Sequence, residues 1–397
     1  EIRCIGSVTE LEEETGVTNF EDLHKEFIDN LQIPSKEGRG MLKKIPDVFD
    51  CWYESGLCGL ASQHYPFENK KFFENNFPID FISESLDQTR GWFYTLMVLS
   101  TALFNKPAFK NVIVTGLILA GDGKKMSKRL KNYTDPMKLI DRFGSDPLRL
   151  YLISAPVVRA EPFAFQDRGV QQIIRKLSPW YNGFKFFTQC YTRYNKVFPE
   201  KKILYNTSNI NVNNVMDIWI EEKLNSLVKV VRKEMSDFKL YKILDKLLEF
   251  IEQLTNWYIK LNRDRLKGIF HIDSIDNWEQ SLKTLYNILY KFSILMAPFT
   301  PFFSEYMYLE LVKYQPLILR KESVHLYSFP EIEDTLEHNI ERQMDNIQKT
   351  IDITRKLKLN NKINLSMPVK KVIIAHNSKI FRDDVSFLKD YLISEAS

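Results

Sequence analysis

The sequence predicts an α/β segment followed by an all-α one, on three observations. First, β-prone runs at 78–83 ("PIDFIS") and 111–119 ("NVIVTGLIL") flank a helical stretch at 89–104, an order that favours a right-handed crossover and a parallel sheet. Second, from residue 217 onward apolar residues recur every three or four positions, the period of helices packed in a bundle. Third, the charge changes along the chain: residues 1–120 sum to −7, 121–330 to +11 and 331–397 to 0, recovering the total of +4. A folded basic region points to a phosphate-rich partner.

The totals set the frame. With 397 residues, 44% hydrophobic and 27% charged, the chain can bury a sizeable core in about two or three domains. No apolar stretch reaches the roughly 18 residues of a membrane span, and the opening "EIRCIGSVTELEEETG" is acidic rather than signal-like. The expectation is a soluble, cytoplasmic protein with no membrane partner. Because it starts without methionine, it is expected to be a piece of something longer. Cys4, Cys51, Cys58 and Cys190 form no Cys-x-x-Cys pair, and the six histidines show no metal or triad spacing, so no metal site is expected. The acidic run Glu10, Glu12, Glu13 and Glu14 needs no role beyond solubility.

Taken in order, the 111–119 run is apolar at nearly every position, as expected for a strand covered on both faces. Asp135-Pro136 and Asp146-Pro147 each place a capping acceptor before a proline at the first helical position, and Gly144 stops the first of these two helices. Residues 167–194 read as a long helix that Pro179 kinks or interrupts. Residues 195–214 are polar and Asn-rich, a surface loop. In the bundle, one helix carries Ile218, Leu224, Leu227, Val228, Val231 and Met235. Ser236 can cap the next, whose stripe runs from Leu240 to Leu261, and a third spans 281–299. Residues 362–376 ("KINLSMPVKKVIIAH") return to β-like alternation.

The stretch with most chemistry is "GDGKKMSKRLKN" (121–132), which gathers five cations behind a buried-looking strand. Such a cluster is tolerable if it is solvated or visited by a polyanion. It is not a Walker loop: Gly116 and Gly121 have the spacing, but Asp122 stands where lysine is required. "KMSKR" (125–129), preceded by a Gly-x-Gly hinge and followed by a helix start, instead resembles the signature loop of the class I aminoacyl-tRNA synthetases. "DVFDCWYESG" (47–56), "ESLDQTRGWF" (84–93), "WYNGFKFF" (180–187) and "MAPFTPFFSEYMY" (296–308) are similar to the isoleucine-specific branch of the eukaryotic cytosol. "DQTRGWF" separates that branch from the valine and leucine enzymes.

The resemblance implies activation of isoleucine by ATP and Mg²⁺ and its transfer to isoleucine tRNA, within a possible multi-synthetase complex. It implies four regions: the second half of a Rossmann-like parallel-sheet catalytic domain (1–110), the signature loop with connecting helices (111–175), a helical-bundle anticodon-binding domain (176–334) and the start of a C-terminal domain (335–397). Lys125 and Lys128 would stabilise the departing pyrophosphate, with Met126 on ATP and Ser127 anchoring the loop by a backbone contact. Negative charge grows on that pyrophosphate as the bond breaks, so mobile cations closing on it favour the transition state. Glu84, Asp87 and Gln88 would lie against the aminoacyl-adenylate, Gln88 offering both a donor and an acceptor. Trp52 and Trp92 would wall the aliphatic site. Lys124, Arg129 and Lys131 are supporting charge, tRNA contacts or solvated surface. The family's second signature, His-x-Gly-His, does not occur in these residues, nor is there room for its editing domain. The chain alone is therefore expected not to make the adenylate at a normal rate. A non-catalytic tRNA-binding module derived from the same fold is the alternative.

Overall fold

The computed structural model describes residues 1–127, 129–133, 135–201, 214–269, 275–333 and 339–396. It packs as two units, one formed by Glu1–Ile82 with Asp87–Val112, the other by Ser83–Leu86 with Ile113–Ser397.

The first unit opens with α1 (Val8–Thr15), capped by the Ser7 hydroxyl, which accepts from Glu10 N–H, and ended by Gly16 at φ 70°. Three of the four acidic residues here hold local structure, contrary to the expectation that the run needs no role. Glu10 accepts from Gly6 N–H at 2.8 Å, Glu12 from Asn19 N–H at 2.7 Å, and Glu14 receives both arms of the Arg3 guanidinium. After α2 (Lys25–Ile28), β1 (Gln32–Pro34) and β2 (Met41–Lys43) pair antiparallel with Ile33 opposite Leu42. Then come α3 (Cys51–Gly56), α4 (Cys58–Ala61) and α5 (Lys70–Asn76). Next are β3 (Ile79–Ser85), α6 (Trp92–Phe104) and β4 (Phe109–Thr115), β3 pairing with β4. Phe73 anchors an aromatic cluster, its ring centroid 4.3 Å from Tyr65, 4.8 Å from Phe77 and 5.4 Å from Phe104. These rings bury area that no aliphatic residue of the unit could match.

The 111–119 run is not one strand covered on both faces. It divides at Gly116 and Leu117 into β4 and β5 (Ile118–Leu119), and Val112 and Leu117 are exposed. The break has a steric cause: a Cβ on Gly116 would come within 2.0 Å of the Glu161 carbonyl oxygen, so another backbone crosses there. β5 pairs in parallel with β6 (Phe163–Ala164), Ile118 opposite Phe163.

In the second unit, α7 (Pro136–Phe143) starts as expected, Asp135 accepting from Met137 N–H. Asp146 does not repeat that role. Gly144, at φ 82°, already begins α8 (Ser145–Ser154), so Asp146 lies inside its first turn. Its buried carboxylate accepts from the Phe303 N–H at 2.7 Å, capping α14 (Pro301–Leu311) instead. Beyond it, α9 (Asp167–Val197) runs on through Pro179. The loop expected at 195–214 falls largely on 202–213, outside the described residues.

The bundle is completed by α10 (Val215–Ser236), α11 (Leu244–Glu252), α12 (Arg263–Lys267), α13 (Ile275–Met296), α15 (Ile340–Asn360), α16 (Lys379–Phe387) and α17 (Lys389–Ala396). Ser236 caps nothing: it is the last residue of α10, and a single tight turn at Leu240–Lys242 precedes α11. Between α11 and α12 the helix widens to a π form at Gln253–Ile259. One continuous core joins Trp180, Phe187, Trp219, Phe250, Leu285 and Phe292, and α15 adds Ile340, Met344, Ile347 and Ile351 to it. Inside this core the Asp217 carboxylate meets Arg265 Nη1 at 2.7 Å and the Tyr258 hydroxyl at 2.6 Å. Full pairing is what makes a buried charge tolerable. Residues 362–376 form no strand. The buried Lys358 ammonium takes the carbonyls of Leu365 (3.2 Å) and Met367 (2.8 Å), holding that stretch by a side chain rather than a sheet ladder.

Candidate functional site

In the first unit, the expected aromatic and polar residues converge where α3 meets α6. Asp50 Oδ1 accepts from the N–H groups of Trp52 (2.8 Å) and Tyr53 (3.0 Å), which starts α3 and fixes where Trp52 leaves it. The helices approach closely because Gly56 faces Thr95 and Leu99; a Cβ there would be 2.7 Å from Leu99 Cδ1. Trp92 opens α6, and its indole N–H donates to the Ser55 carbonyl at 3.0 Å, tying one helix to the other. Trp52 keeps 45% of its surface exposed, so its ring is not enclosed in the core.

Gln88 is not free to present both its groups. Its side-chain oxygen accepts from Trp92 N–H at 3.0 Å, serving the otherwise unpaired start of α6, while its amide nitrogen reaches Asp87 at 3.4 Å. One lone pair of that oxygen and the remaining N–H of the amide stay open. Asp87 is exposed on the turn before α6. Trp52, Asp87, Gln88 and Trp92 thus belong to one unit. Glu84 is an exposed residue of β3 assigned by packing to the other.

The cationic loop belongs to the second unit. It is a tight hairpin: Ala120 N–H donates to Lys124 O and Gly123 N–H to Ala120 O, each at 2.8 Å, and Leu119 bridges Lys125 antiparallel. Gly123 has φ 79°, a conformation that favours glycine. Asp122 caps Lys124 N–H at 3.1 Å and faces its ammonium at 3.7 Å. Lys125, Arg129 and Lys131 are exposed, Met126 and Ser127 half-buried, and Lys128 lies outside the described residues.

The residue that closes the loop is Asn132, which sequence reading did not single out. Its side-chain oxygen accepts from Ser127 N–H (2.9 Å) and its amide donates to Lys125 O (3.1 Å). Ser127 is therefore held by its own N–H, and the anchoring side chain is Asn132. The available signal was an amide, donor and acceptor in one group, immediately after the basic run. Among the described residues, no group of three or more His, Cys, Asp or Glu side chains could hold a metal ion, and no helix is long and apolar enough to cross a membrane.

Residues 1–164 match the family "tRNA synthetases class I (I, L, M and V)", and residues 217–374 match "Anticodon-binding domain of tRNA ligase". The whole chain is 46% identical to the cytoplasmic isoleucine–tRNA ligase of Saccharomyces cerevisiae, covering 37% of that protein. It is 47% identical to a probable cytoplasmic isoleucine–tRNA ligase of Dictyostelium discoideum (37% of that protein) and 44% to the Mus musculus cytoplasmic isoleucine–tRNA ligase (32%), again over its full length. The chain spans about a third of the length of these relatives. In fold it resembles an Agrobacterium radiobacter LeuRS in ternary complex with tRNA and LeuAMS (TM-score 0.58, 18% identity, 76% of this chain and 35% of that one). It also resembles Mycobacterium tuberculosis methionyl-tRNA synthetase in complex with methionyl-adenylate (TM-score 0.52, 15% identity, 69% and 51%).

Proposed function

The chain belongs to the class I tRNA synthetases, and from that premise we propose that it is the segment of a cytoplasmic isoleucine–tRNA ligase that completes the adenylation site and carries the anticodon-binding bundle. The observation that carries the reading is the 46% identity to such a ligase along the entire chain. The site chemistry supports it: an aromatic wall at the start of α3 and α6, and a cationic hairpin clamped by Asn132.

In the reaction, a carboxylate oxygen of isoleucine attacks the α-phosphorus of ATP and pyrophosphate departs. A ribose hydroxyl at the 3′ end of the tRNA then attacks the activated carbonyl and AMP leaves. Trp52 and Trp92 hold the aliphatic side chain by apolar contact. Glu84 and Asp87 supply carboxylates for the substrate ammonium or a ribose hydroxyl, and Gln88 contributes its amide donor. Lys125 and Lys128 neutralise charge on the pyrophosphate, Met126 contacts ATP, and Ser127 anchors the loop through its N–H on Asn132. Mg²⁺, when bound with ATP, would offset charge on its phosphates. In this reading residues 1–110 belong to the catalytic fold, 111–175 to the loop and its connectors, 176–334 to the bundle and 335–397 to the start of a C-terminal region. Partners are isoleucine tRNA, isoleucine, ATP and a possible multi-synthetase assembly.

The test is isoleucine-dependent pyrophosphate exchange by the full-length protein containing this segment. Lys125→Ala should lower kcat by about a hundredfold with little change in the isoleucine KM, and Trp52→Ala should raise that KM by about tenfold or more. Preferred exchange with another amino acid would reject the assignment; tRNA binding without any exchange would leave a binding module.

A further inference from the structure

Gly91 stands immediately before α6, between the Gln88 carboxamide and the Trp52 indole. A Cβ built on it would lie 2.7 Å from Gln88 Oε1 and 3.0 Å from each of Cη2 and Cζ3 of Trp52. Both neighbours must shift to admit it. Gln88 can retreat only by releasing the Trp92 N–H at 3.0 Å, which leaves the start of α6 without its acceptor. The Trp52 ring, carried on a helix start fixed by Asp50 and 45% exposed, must shift by a few tenths of an ångström away from Gly91. The benzo edge of the indole therefore occupies the space that the missing side chain leaves open.

We propose that Gly91 is a positioning and specificity-determining residue: the absent side chain is the seat of the Trp52 indole and the Gln88 carboxamide, and so sets the room left for the substrate's aliphatic group. The inference rests on the reading that Trp52 lines the isoleucine site. A methyl group at 91 drives the ring outward, narrows that room and disfavours the larger substrate.

The experiment uses the full-length protein with Gly91→Ala, Trp52→Phe and the double variant, assayed by pyrophosphate exchange with isoleucine and valine. Gly91→Ala should raise the isoleucine KM about tenfold, with the ATP KM changed by less than about twofold, and should lower the isoleucine-to-valine ratio of kcat/KM. A purely structural role would lower the amount of active enzyme and kcat without this split. Because phenylalanine is shorter, the double variant should have an isoleucine KM within about threefold of Trp52→Phe alone, a strong departure from additivity. An unchanged isoleucine KM in Gly91→Ala, or a penalty that multiplies in full in the double variant, overturns the proposal. If Gly91→Ala does not fold but the double variant does, the steric seat is supported; if neither folds, Gly91 is a packing residue and the proposal fails. Trp52→Ala separates the two levels: no effect on isoleucine binding there defeats the underlying functional reading, whereas an effect there with none in Gly91→Ala defeats only this inference.

Discussion

Single residues in this protein take their roles from whichever unpaired group lies within reach. Asn132 and Gln88 each satisfy backbone groups that a turn or a helix start leaves open, and neither role follows from residue type alone. Glu221 shows the converse, a carboxyl whose surroundings disfavour its charge. Burial, with Asp217, Glu333 and Glu222 nearby and Lys291 partly opposing, pushes it up to about 7. Because its folded value lies above the ordinary one near 4.5, the folded chain keeps a proton that the unfolded chain releases as pH rises. Its stabilising contribution is therefore complete below about pH 4.5 and lost as pH rises through about 7. Glu221→Gln should raise the thermal midpoint more at pH 8 than at pH 5; melting curves across that range check it, and an equal shift at both ends would show that Glu221 ionises normally.

At the scale of elements, the two Asp-Pro dipeptides teach most. Asp135 caps its own helix, and its short-range hydrogen bond was legible because every partner is within two residues. Asp146 has the same neighbour on its C-terminal side, yet its carboxylate caps α14, whose first N–H groups are brought to it by the bundle. The nearby Arg149 guanidinium, bonded to Pro298 O at 3.0 Å, ties α8 to the same corner. Asp146→Ala should cost about 1–2 kcal/mol, the price of a lost N-cap, and lower the thermal midpoint. Asp146→Asn, which keeps an acceptor oxygen, should lower it less. Calorimetry that found the two variants alike would show that the cap contributes nothing. By sequence the apolar run 111–119 looks like one strand for the same reason that Asp146 looks like a local cap: the Glu161 backbone that meets it at Gly116 comes from a distant part of the chain.

For the whole molecule, the relevant sequence quantity is charge. The excess of +11 over residues 121–330 covers the cationic hairpin, α7 to α9 and most of the bundle. If tRNA is the partner, its affinity for the full-length protein should fall with ionic strength on a log–log slope of about −0.7 to −0.9 per phosphate neutralised. Filter binding between low and physiological salt measures the slope, and a flat response would remove the electrostatic role of this region. What the sequence by itself determined was much of what neighbouring residues encode: the stripes of α10, α11 and α13, the start of α7 at Asp135, the glycine turn at Gly123 and the cation cluster behind β5. Only the tertiary structure decided that Asp146 serves α14 and that Gly91 makes room for Trp52, whereas Asn132 and Lys358 bond within five to nine residues of themselves, a range that periodicity does not report. Periodicity and caps act over one or two turns of chain, whereas steric clearance and the pairing of buried polar groups depend on which distant backbone arrives beside them.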